Sequence, residues 1–480
     1  VPFWSAPGFR ANIILMNNSI YRRVSRGLLV AFCFVLTGFS GFDCSSDDDS
    51  DSGSTDTDIR VEDEQKISAN SGNFNGNLDP DDRFGSALAN IGDLEADGVT
   101  DLAVGTPGND DGGTDRGAVW VLFMDDTGEV DTGQKISDTS GDFNGGLDDG
   151  DEFGSALAAI GDLDRDNVVD LAVGVPGDDR GGTDRGGLWI LFLDIDGTVL
   201  DARKIADGTG GFSGNLDNDD RFGSAIAEIG DLDGDGITEL AVGAPNADDG
   251  VSNAGAVWIL FMNEDGTVDS SEKISRIAGG FNGTIRADDH FGAALAGIGD
   301  LNNDGIPDLA VGAPGKDERG PERGAVWILF LNSNGSVLDE QLIADREGNF
   351  DGRLRNDDRF GSALANVSDL NNDGVQDLAV GAPNDDDGAD DAGAIWLLLM
   401  AGNGTVNGWQ KISADAGNFN GNLDAGDNFG ASVAGLGNLD NRIIEGSNIN
   451  DLAVGTPGND DAGQDQGALW VLFLEITGLL

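Results

Sequence analysis

The pair Phe-Gly recurs along this chain at a constant spacing. It stands at Phe84, Phe153, Phe222, Phe291, Phe360 and Phe429, so each step is 69 residues (153 − 84 = 69). A period of this length indicates repeated supersecondary units that bury their apolar faces against one another. The repeat runs from about Gln65 to the C-terminus, and we therefore expect one large repeat domain rather than several unrelated ones.

Each unit carries the pattern of four strands. In the first unit, Ser86–Gly92 and Leu102–Val104 predict two short strands of small and apolar residues. Ala118–Phe123 is β-branched, aromatic and apolar throughout, which predicts a third strand buried on both faces. After a turn at Asp125–Gly128, Gln134–Ser137 predicts a more polar fourth strand. Four antiparallel strands of this kind form one propeller blade.

The two ends of the chain complement each other. A fourth-strand sequence begins at Gln65, before any Phe-Gly, and the last unit stops after Trp470–Leu474 without a fourth strand. We therefore predict an all-β fold, a six-bladed β-propeller of four-stranded antiparallel blades, closed by pairing the N-terminal strand with the last blade. Closure would remove the exposed strand edges of an open array. The alternatives are a ring resembling a seven-bladed propeller and an open β-solenoid.

An acidic loop lies between the first and second predicted strands. In the first unit, Asp93, Glu95, Asp97 and Asp101 occupy loop positions 1, 3, 5 and 9, and Gly98 allows the bend. Carboxylate oxygens without His or Cys favour a hard cation, and a flexible cage favours calcium over magnesium. We therefore predict about five Ca²⁺ sites. The other predicted ligands are Asp162, Asp164, Asp166, Asp170, Asp231, Asp233, Asp235, Glu239, Asp300, Asn302, Asp304, Asp308, Asp369, Asn371, Asp373 and Asp377.

Two other interpretations of these loops are an EF-hand and acidic turns without metal. An EF-hand needs flanking helices and a carboxylate at loop position twelve, where this chain has Val104. Acidic turns without metal would leave carboxylates crowded together in five copies. The sixth copy differs, because it runs Asn438, Asp440, Arg442 and is longer: Pro457 follows Pro383 by 74 residues (457 − 383 = 74). We expect this loop to bind no calcium.

The net charge limits the partners. Lys and Arg number 27 against 88 Asp and Glu, a formal charge of −61, which excludes nucleic acid and favours cations or basic surfaces. Two carboxylates held ~4 Å apart repel by about 4 kcal/mol at an effective dielectric near 20, so clustered acids need counter-ions. A salt-adapted surface is the alternative explanation for the scattered acids.

The N-terminus has the pattern of an export leader. Arg22, Arg23 and Arg26 precede the short apolar stretch Gly27–Phe39, and Met16 is a plausible true start. We assign residues 1–44 to a signal or lipoprotein-type leader, 45–60 to a disordered Ser/Asp-rich tether and 61–480 to the propeller. Lipid attachment at Cys44 would give a surface or outer-membrane lipoprotein, and another cleavage would give a secreted protein. A membrane is expected as partner only through this anchor.

Three repeated positions concern packing and turns. Trp120 and its equivalents fall in the third strand of every unit, where we expect packing between blades rather than a platform for glycan stacking. The Phe of each Phe-Gly is expected to plug the base of the first strand, its Gly permitting a close turn. Asp82 and its equivalents, two residues before each Phe, are expected to cap a turn, with a weaker cation site as the alternative.

Three motifs in register carry a family resemblance. Phe222-Gly223, the loop Asp231–Glu239 and Gly243-Ala-Pro245 together resemble the FG-GAP repeat of the integrin alpha-subunit propeller and its bacterial relatives. The resemblance implies calcium in the loops on one face and partner binding through the opposite face, here through stretches such as Gly108–Gly117 and Asn70–Arg83. Integrin propellers have seven blades, and the identity of the ligand does not carry over.

Two classes of function remain. The first is a non-enzymatic, calcium-binding extracellular or cell-surface module for adhesion or for binding an unknown protein or glycan. The second is an exported hydrolase or lyase with its site on the face opposite the calcium loops. The candidates that break the repeat are His290, the only histidine, and the insertion Asn441–Asn450. No nucleophile–base pair accompanies them in the sequence, and we favour binding.

Overall fold

The computed structural model describes residues 58–444 and 447–477. The leader and most of the predicted tether lie outside the described residues. In the described part every regular element is a strand, and the strands form six four-stranded antiparallel sheets. The protein is therefore a six-bladed β-propeller, as the sequence predicts. No helix in the described ranges is long and apolar enough to cross a membrane.

The strands follow the repeat. Blade 1 contains β2 (Ala87–Gly92), β3 (Asp101–Thr106), β4 (Ala118–Met124) and β5 (Val130–Ser137). Blade 2 contains β6 (Leu157–Ala159), β7 (Leu171–Val175), β8 (Gly187–Leu193) and β9 (Val199–Ala206), and blade 3 contains β10 (Ala225–Glu228), β11 (Leu240–Ala244), β12 (Ala256–Met262) and β13 (Val268–Ser275). Blade 4 contains β14 (Leu295–Gly297), β15 (Leu309–Gly312), β16 (Val326–Leu331) and β17 (Val337–Ile343).

Blades 5 and 6 complete the ring. Blade 5 contains β18 (Ala363–Asn366), β19 (Leu378–Ala382), β20 (Ala394–Met400) and β21 (Val406–Ser413). Blade 6 contains β22 (Ser432–Gly437), β25 (Asp451–Thr456), β26 (Ala468–Thr477) and the N-terminal strand β1 (Asp58–Ile67). A small hairpin, β23 (Ile443–Ile444) with β24 (Ser447–Asn448), lies within the predicted insertion.

The N-terminal strand closes the ring. β1 pairs antiparallel with β26, with Ile59 opposite Ile476 and Lys66 opposite Trp470, and the sheet order is β1-β26-β25-β22. Ile59 and Val61 are buried, at 2% and 0% exposure, so this strand is part of the core. The strand begins at Asp58, so residues 58–60, which the sequence assigned to the tether, belong to the propeller.

An aromatic cluster fills each interface between blades. In blade 1, Phe74 stacks on Phe84 at 5.0 Å between ring centres and meets Trp120 edge-on at the same distance. These rings share a buried cluster with Leu469 of blade 6, so Trp120 packs between blades as predicted. The Phe74 position also recurs every 69 residues, at Phe143, Phe212, Phe281, Phe350 and Phe419, so its period could have revealed it beside that of Phe-Gly.

The glycine of each Phe-Gly serves a close approach between blades. Phe84 is fully buried and forms a bridge to Gly467 of blade 6. The next residue, Gly85, has φ +89, and a Cβ added there would lie 2.4 Å from the carbonyl oxygen of Ala468. A side chain at this position would therefore push the blades apart.

The strand order divides the loops between two faces. Strands alternate in direction within a blade, so loops joining first to second and third to fourth strands lie on one face, which we call the acidic-loop face. The loops after each second and each fourth strand lie on the other, which we call the opposite face. An axial cavity of about 150 Å³ runs between the innermost strands and is lined in part by Ser86, Ser155, Ser224 and Ser362.

Candidate metal centres

The first aspartate of each acidic loop shapes the loop backbone. Asp93 accepts hydrogen bonds from the backbone N–H groups of Asp97 at 2.9 Å and Gly98 at 2.8 Å. Gly98 has φ +96, a conformation that glycine adopts without steric cost. The same two bonds are made to Asp162, Asp231, Asp300 and Asp369 by the residues four and five positions further on.

The acid at loop position nine is buried and ties the loop to the third strand. Asp101 is 0% exposed and accepts hydrogen bonds from the N–H groups of Leu94 at 2.8 Å and Met124 at 3.1 Å. Asp170, Asp308 and Asp377 make the equivalent pair of bonds. This residue therefore has a structural role in the blade besides the ligand role that the spacing predicts.

Burial places these carboxyl groups in an unfavourable setting for a negative charge. Burial raises the pKa of Asp101 to about 6 and of Asp170 and Asp308 to about 7, while the backbone N–H groups lower it in part. Burial also raises the pKa of Glu239 to about 7 and of Asp377 to about 8. Neighbouring loop acids add to the increase in each case. A bound cation would offset both the burial of these carboxylates and their repulsion by neighbouring acids.

Two loops gather three carboxylates each. One oxygen each of Asp162, Asp164 and Asp170 lie within 4.8 Å of one another. Asp231, Asp233 and Glu239 form the second group with the same closeness. Ca²⁺–oxygen distances are about 2.4 Å, so oxygens up to about 4.8 Å apart can share one ion. The donor set is all oxygen, which suits a hard cation, and the residues of these two loops therefore fit calcium.

The other three regular loops differ from these two in their side-chain contacts. In the fourth and fifth loops, the position-three amides of Asn302 and Asn371 donate to Asp304 at 3.0 Å and to Asp373 at 3.1 Å. Across the described residues, the first loop forms no three-carboxylate group as close as those of the second and third. The position-five aspartates instead accept the N–H two residues on, as Asp97 does from Val99. The equivalents are Asp166, Asp235, Asp304 and Asp373.

The sixth loop keeps the structural role of its buried acid but changes the rest. Asp451 accepts hydrogen bonds from Leu439 and Leu474, as position nine does elsewhere, and burial raises its pKa to about 7. Arg442 stands where the other loops have their position-five aspartate. Its Nε lies 3.2 Å from Asp440, and its guanidinium also pairs with Glu62 of β1. A side-chain cation is therefore already beside the acids of this loop.

The repeated aspartates before each Phe-Gly cap turns. Asp82 is 1% exposed and accepts a hydrogen bond from the N–H of Asp79 at 2.9 Å, and the five equivalents do the same. Lys135 carries a charge that lowers the pKa of Asp82 against the increase caused by burial. The ammonium of Lys135 also lies 5.7 Å from the centre of the Trp120 ring. The sequence also allowed a weaker cation site at Asp82, and in the structure the charge of Lys135 acts on this residue instead.

A lysine over the tryptophan recurs in every blade. The ammonium-to-ring distances are 5.3–5.7 Å across the six pairs, which are Lys66–Trp470, Lys135–Trp120, Lys204–Trp189, Lys273–Trp258, Lys316–Trp327 and Lys411–Trp396. Five of these lysines follow the 69-residue period, so the repeat could have revealed them. The sixth, Lys316, comes from the loop after the second strand of blade 4, where the fourth-strand position holds Leu342, and only the three-dimensional structure reveals it.

His290 and the insertion Asn441–Asn450 break the repeat and are the candidates for catalysis that the sequence offers. His290 is half-buried on the opposite face, and its Nδ1 lies 3.3 Å from the carbonyl oxygen of Pro245. It occupies the position of Arg83, Glu152, Arg221, Arg359 and Asn428 in the other blades. The side chains of the hairpin in the insertion lie outside the described residues.

Comparisons with known proteins agree with this architecture. The FG-GAP repeat family matches residues 84–122, 153–191, 222–260, 291–329 and 360–398, which are the five blades with regular acidic loops. The chain is 33% identical to integrin alpha-5 of Xenopus laevis over 248 residues, 49% of this chain and 20% of that protein. It is 37% identical to integrin alpha-2 of Mus musculus over 169 residues, 35% of this chain and 13% of that protein.

These similarities define the class of protein. The chain carries five FG-GAP repeats. Its propeller is of the kind found at the N-terminus of integrin alpha subunits, with six blades in the described structure. The matched regions span a fifth or less of the length of integrin alpha-5 and integrin alpha-2.

Proposed function

We propose that this protein is a calcium-stabilised, non-enzymatic interaction module that acts outside the cell, in adhesion or in binding a protein or glycan. The observation that carries the proposal is the repeated acidic loop in an integrin alpha-like propeller, gathered into three-carboxylate groups in two blades. Because the relatives are integrin alpha subunits, binding is favoured over an exported hydrolase or lyase.

Calcium is proposed to occupy the five regular loops. Asp162, Asp164 and Asp170 would hold one ion, and Asp231, Asp233 and Glu239 another, with equivalent residues in the other three blades. The bound ion would neutralise acids that the fold places close together. At a free concentration a hundredfold above Kd, each ion that binds only the folded state stabilises it by about 2.7 kcal/mol. Several such ions would match the whole stability of a typical domain.

The partner is proposed to bind the opposite face. Metal-holding loops occupy the acidic-loop face, where side chains are committed to shaping the loops. The opposite face presents longer loops, such as 107–117 and 138–152, whose sequences differ between blades. Loops that vary on a repeated scaffold are where recognition is usually built.

Export is proposed from the N-terminal sequence. The leader (1–44), with its arginines and short apolar stretch, would direct secretion, and Cys44 would carry a lipid if the leader is of the lipoprotein type. The segment from Ser45 to the start of β1 would then act as a tether between membrane and propeller.

Calorimetric titration of the mature chain with calcium tests the proposal. We expect about five sites and a large increase in Tm between chelator and added calcium. The test variant is Asp170→Asn, and its matched control is Asp451→Asn, because only Asp170 lies in a loop that is predicted to bind calcium. Absence of heat and an unchanged Tm would contradict the calcium assignment and reduce the loops to acidic turns.

A further inference from the structure

Seven exposed arginines lie on three successive loops of the opposite face around blade 4. They are Arg276, Arg286, Arg319, Arg346, Arg353, Arg355 and Arg359, and we call this surface the arginine sector. They come from three loops: the one before blade 4, the one between its second and third strands, and the one after its last strand. In a chain with a net charge of −61, such a concentration requires an explanation.

The three loops form one continuous surface. Arg286, in the first loop, lies 3.5 Å from Glu318 in the second. Arg359, in the third loop, pairs with Glu322 in the second at 2.6 Å, and Arg319 lies 3.9 Å from Glu347. Arg286, Arg319 and Arg359 therefore alternate with carboxylates where the three loops meet.

The repeat shows that the fold does not need arginine at three of these positions. Arg286 and Arg355 occupy a position that is aspartate in the other four copies, which are Asp79, Asp148, Asp217 and Asp424. Arg276 stands where three other copies have Asp138, Asp207 and Asp345. Arg276, Arg286 and Arg355 therefore reverse the charge that most other copies of the repeat have at these positions.

One of the arginines occupies a backbone conformation that favours glycine. Arg319 has φ +63, and four other copies have glycine at this position, with φ between +84 and +93. A side chain in the left-handed region carries a conformational cost that glycine avoids. The glycines are Gly112, Gly181, Gly250 and Gly388. The backbone conformation therefore does not account for the arginine at this position.

The composition of the sector indicates the chemistry of its partner. Arginine is enriched at protein interfaces, and Ile277 beside Arg276 is 72% exposed, the most exposed of the large hydrophobic side chains described. A polyanion of uniform charge would bring its charges against Glu318, Glu322 and Glu347. A polypeptide with spaced carboxylates and an apolar side chain can pair with the arginines and cover Ile277.

We propose that the arginine sector is the docking surface for an acidic polypeptide segment of a partner protein. This inference rests on the proposed function, because it assumes that the opposite face is the binding face, and it adds the part of that face and the chemistry of the partner.

The test uses peptides displayed on phage as the probe. Random dodecapeptides are selected on the calcium-loaded mature protein and their Kd values are measured against it and against a revertant that restores the repeat: Arg276→Asp, Arg286→Asp, Arg319→Gly, Arg353→Asn, Arg355→Asp. We expect selected peptides rich in Asp and Glu with an apolar residue, whose affinity falls at least about tenfold in the revertant.

The matched control is Arg180→Asp. Arg180 is exposed on the same face in blade 2, and the equivalent residues in the other blades are acidic, so the change is of the same kind outside the sector. We expect Arg180→Asp to leave peptide affinity within about twofold. Arg319→Gly alone is expected to keep or raise Tm, which separates loss of binding from loss of fold.

Three outcomes would overturn the inference. Selected peptides could lack acidic residues, or bind the revertant as well as the parent, or fail to emerge from selection. If binding of an acidic oligosaccharide, such as a heparin hexasaccharide, depends on the arginine sector and peptide binding does not, the sector is a polysaccharide site and the inference is wrong. Peptides that depend on other loops of the opposite face would refute the sector and leave the proposed function intact, and the calcium titration tests that function separately.

Discussion

The ammonium of Lys316 lies 5.6 Å from the centre of the Trp327 ring and 3.3 Å from the buried carboxylate of Asp289. In the other five blades the lysine that faces the tryptophan comes from the fourth strand. Blade 4 has Leu342 there and supplies the charge from the loop after its second strand instead. The position of the cation is kept although its place in the sequence has changed, which indicates that the buried aspartate and the tryptophan require it.

This relationship predicts a destabilised variant and its rescue. Lys316→Asn leaves Asp289 buried without its cation, and removing one partner of a buried pair costs about 3–5 kcal/mol. Adding Leu342→Lys restores the arrangement of blades 1 and 6, where Asn109 and Asn459 donate to the buried aspartate and the fourth strand supplies the lysine. We expect a clear fall in Tm for the single variant and recovery of most of it in the double variant. A single variant as stable as the parent would show that the ammonium is dispensable.

The acidic loops predict that a substitution in one loop changes the number of bound calcium ions by one. Asp170→Asn weakens the three-carboxylate group of the second loop, so calorimetry with calcium should report one site fewer or one much weaker. Asp451→Asn alters the equivalent buried acid of the sixth loop, where Arg442 already lies beside Asp440. We expect that variant to keep the stoichiometry of the parent. Equal losses in both variants would contradict the distinction between the loops.

The raised pKa values predict how the metal-free protein responds to pH. Burial raises the pKa of Asp170, Glu239 and Asp308 to about 7, from 3.8, 4.5 and 3.8. Between the unfolded and folded pKa values the folded state binds more protons, so stability is present at low pH and is lost as pH rises through about 7. In chelator, Tm should fall from pH 5 to pH 8. In excess calcium the fall should shrink or reverse, because the ion binds the ionised groups.

Closure of the ring predicts a sensitive position in the N-terminal strand. Val61 is fully buried and lies opposite Leu474, so Val61→Asp places an unpaired charge in the core of blade 6. We expect a loss of about 3 kcal/mol or more, seen as a lower Tm and earlier proteolysis of β1. Glu62→Ser changes a neighbouring residue whose side chain is 42% exposed and should have little effect. Equal stability of both variants would argue against the role of β1 in closure.

Several features could be derived from the order of residues. The period of 69 residues gives the number of blades, and the alternation of apolar runs with turns gives four strands per blade. The unpaired fourth-strand sequence at Gln65 gives the closure. The numbers of blades and strands follow because each blade repeats the same local pattern, and neighbouring strands within a repeat are close in sequence. The closure pairs strands that are far apart in the chain, and it follows because β1 and the last three strands are complementary parts of one blade.

The three-dimensional structure alone shows which side chains meet across the repeat. Equal loop spacing predicts equal metal sites, yet the structure gathers Asp162, Asp164 and Asp170 and leaves the asparagines of later loops donating to their neighbours. Likewise, Lys316 replaces a strand lysine and the arginines of three loops meet on one surface. Such contacts depend on the folded path of the backbone and on distances between residues far apart in the chain, and neither period nor composition specifies these quantities.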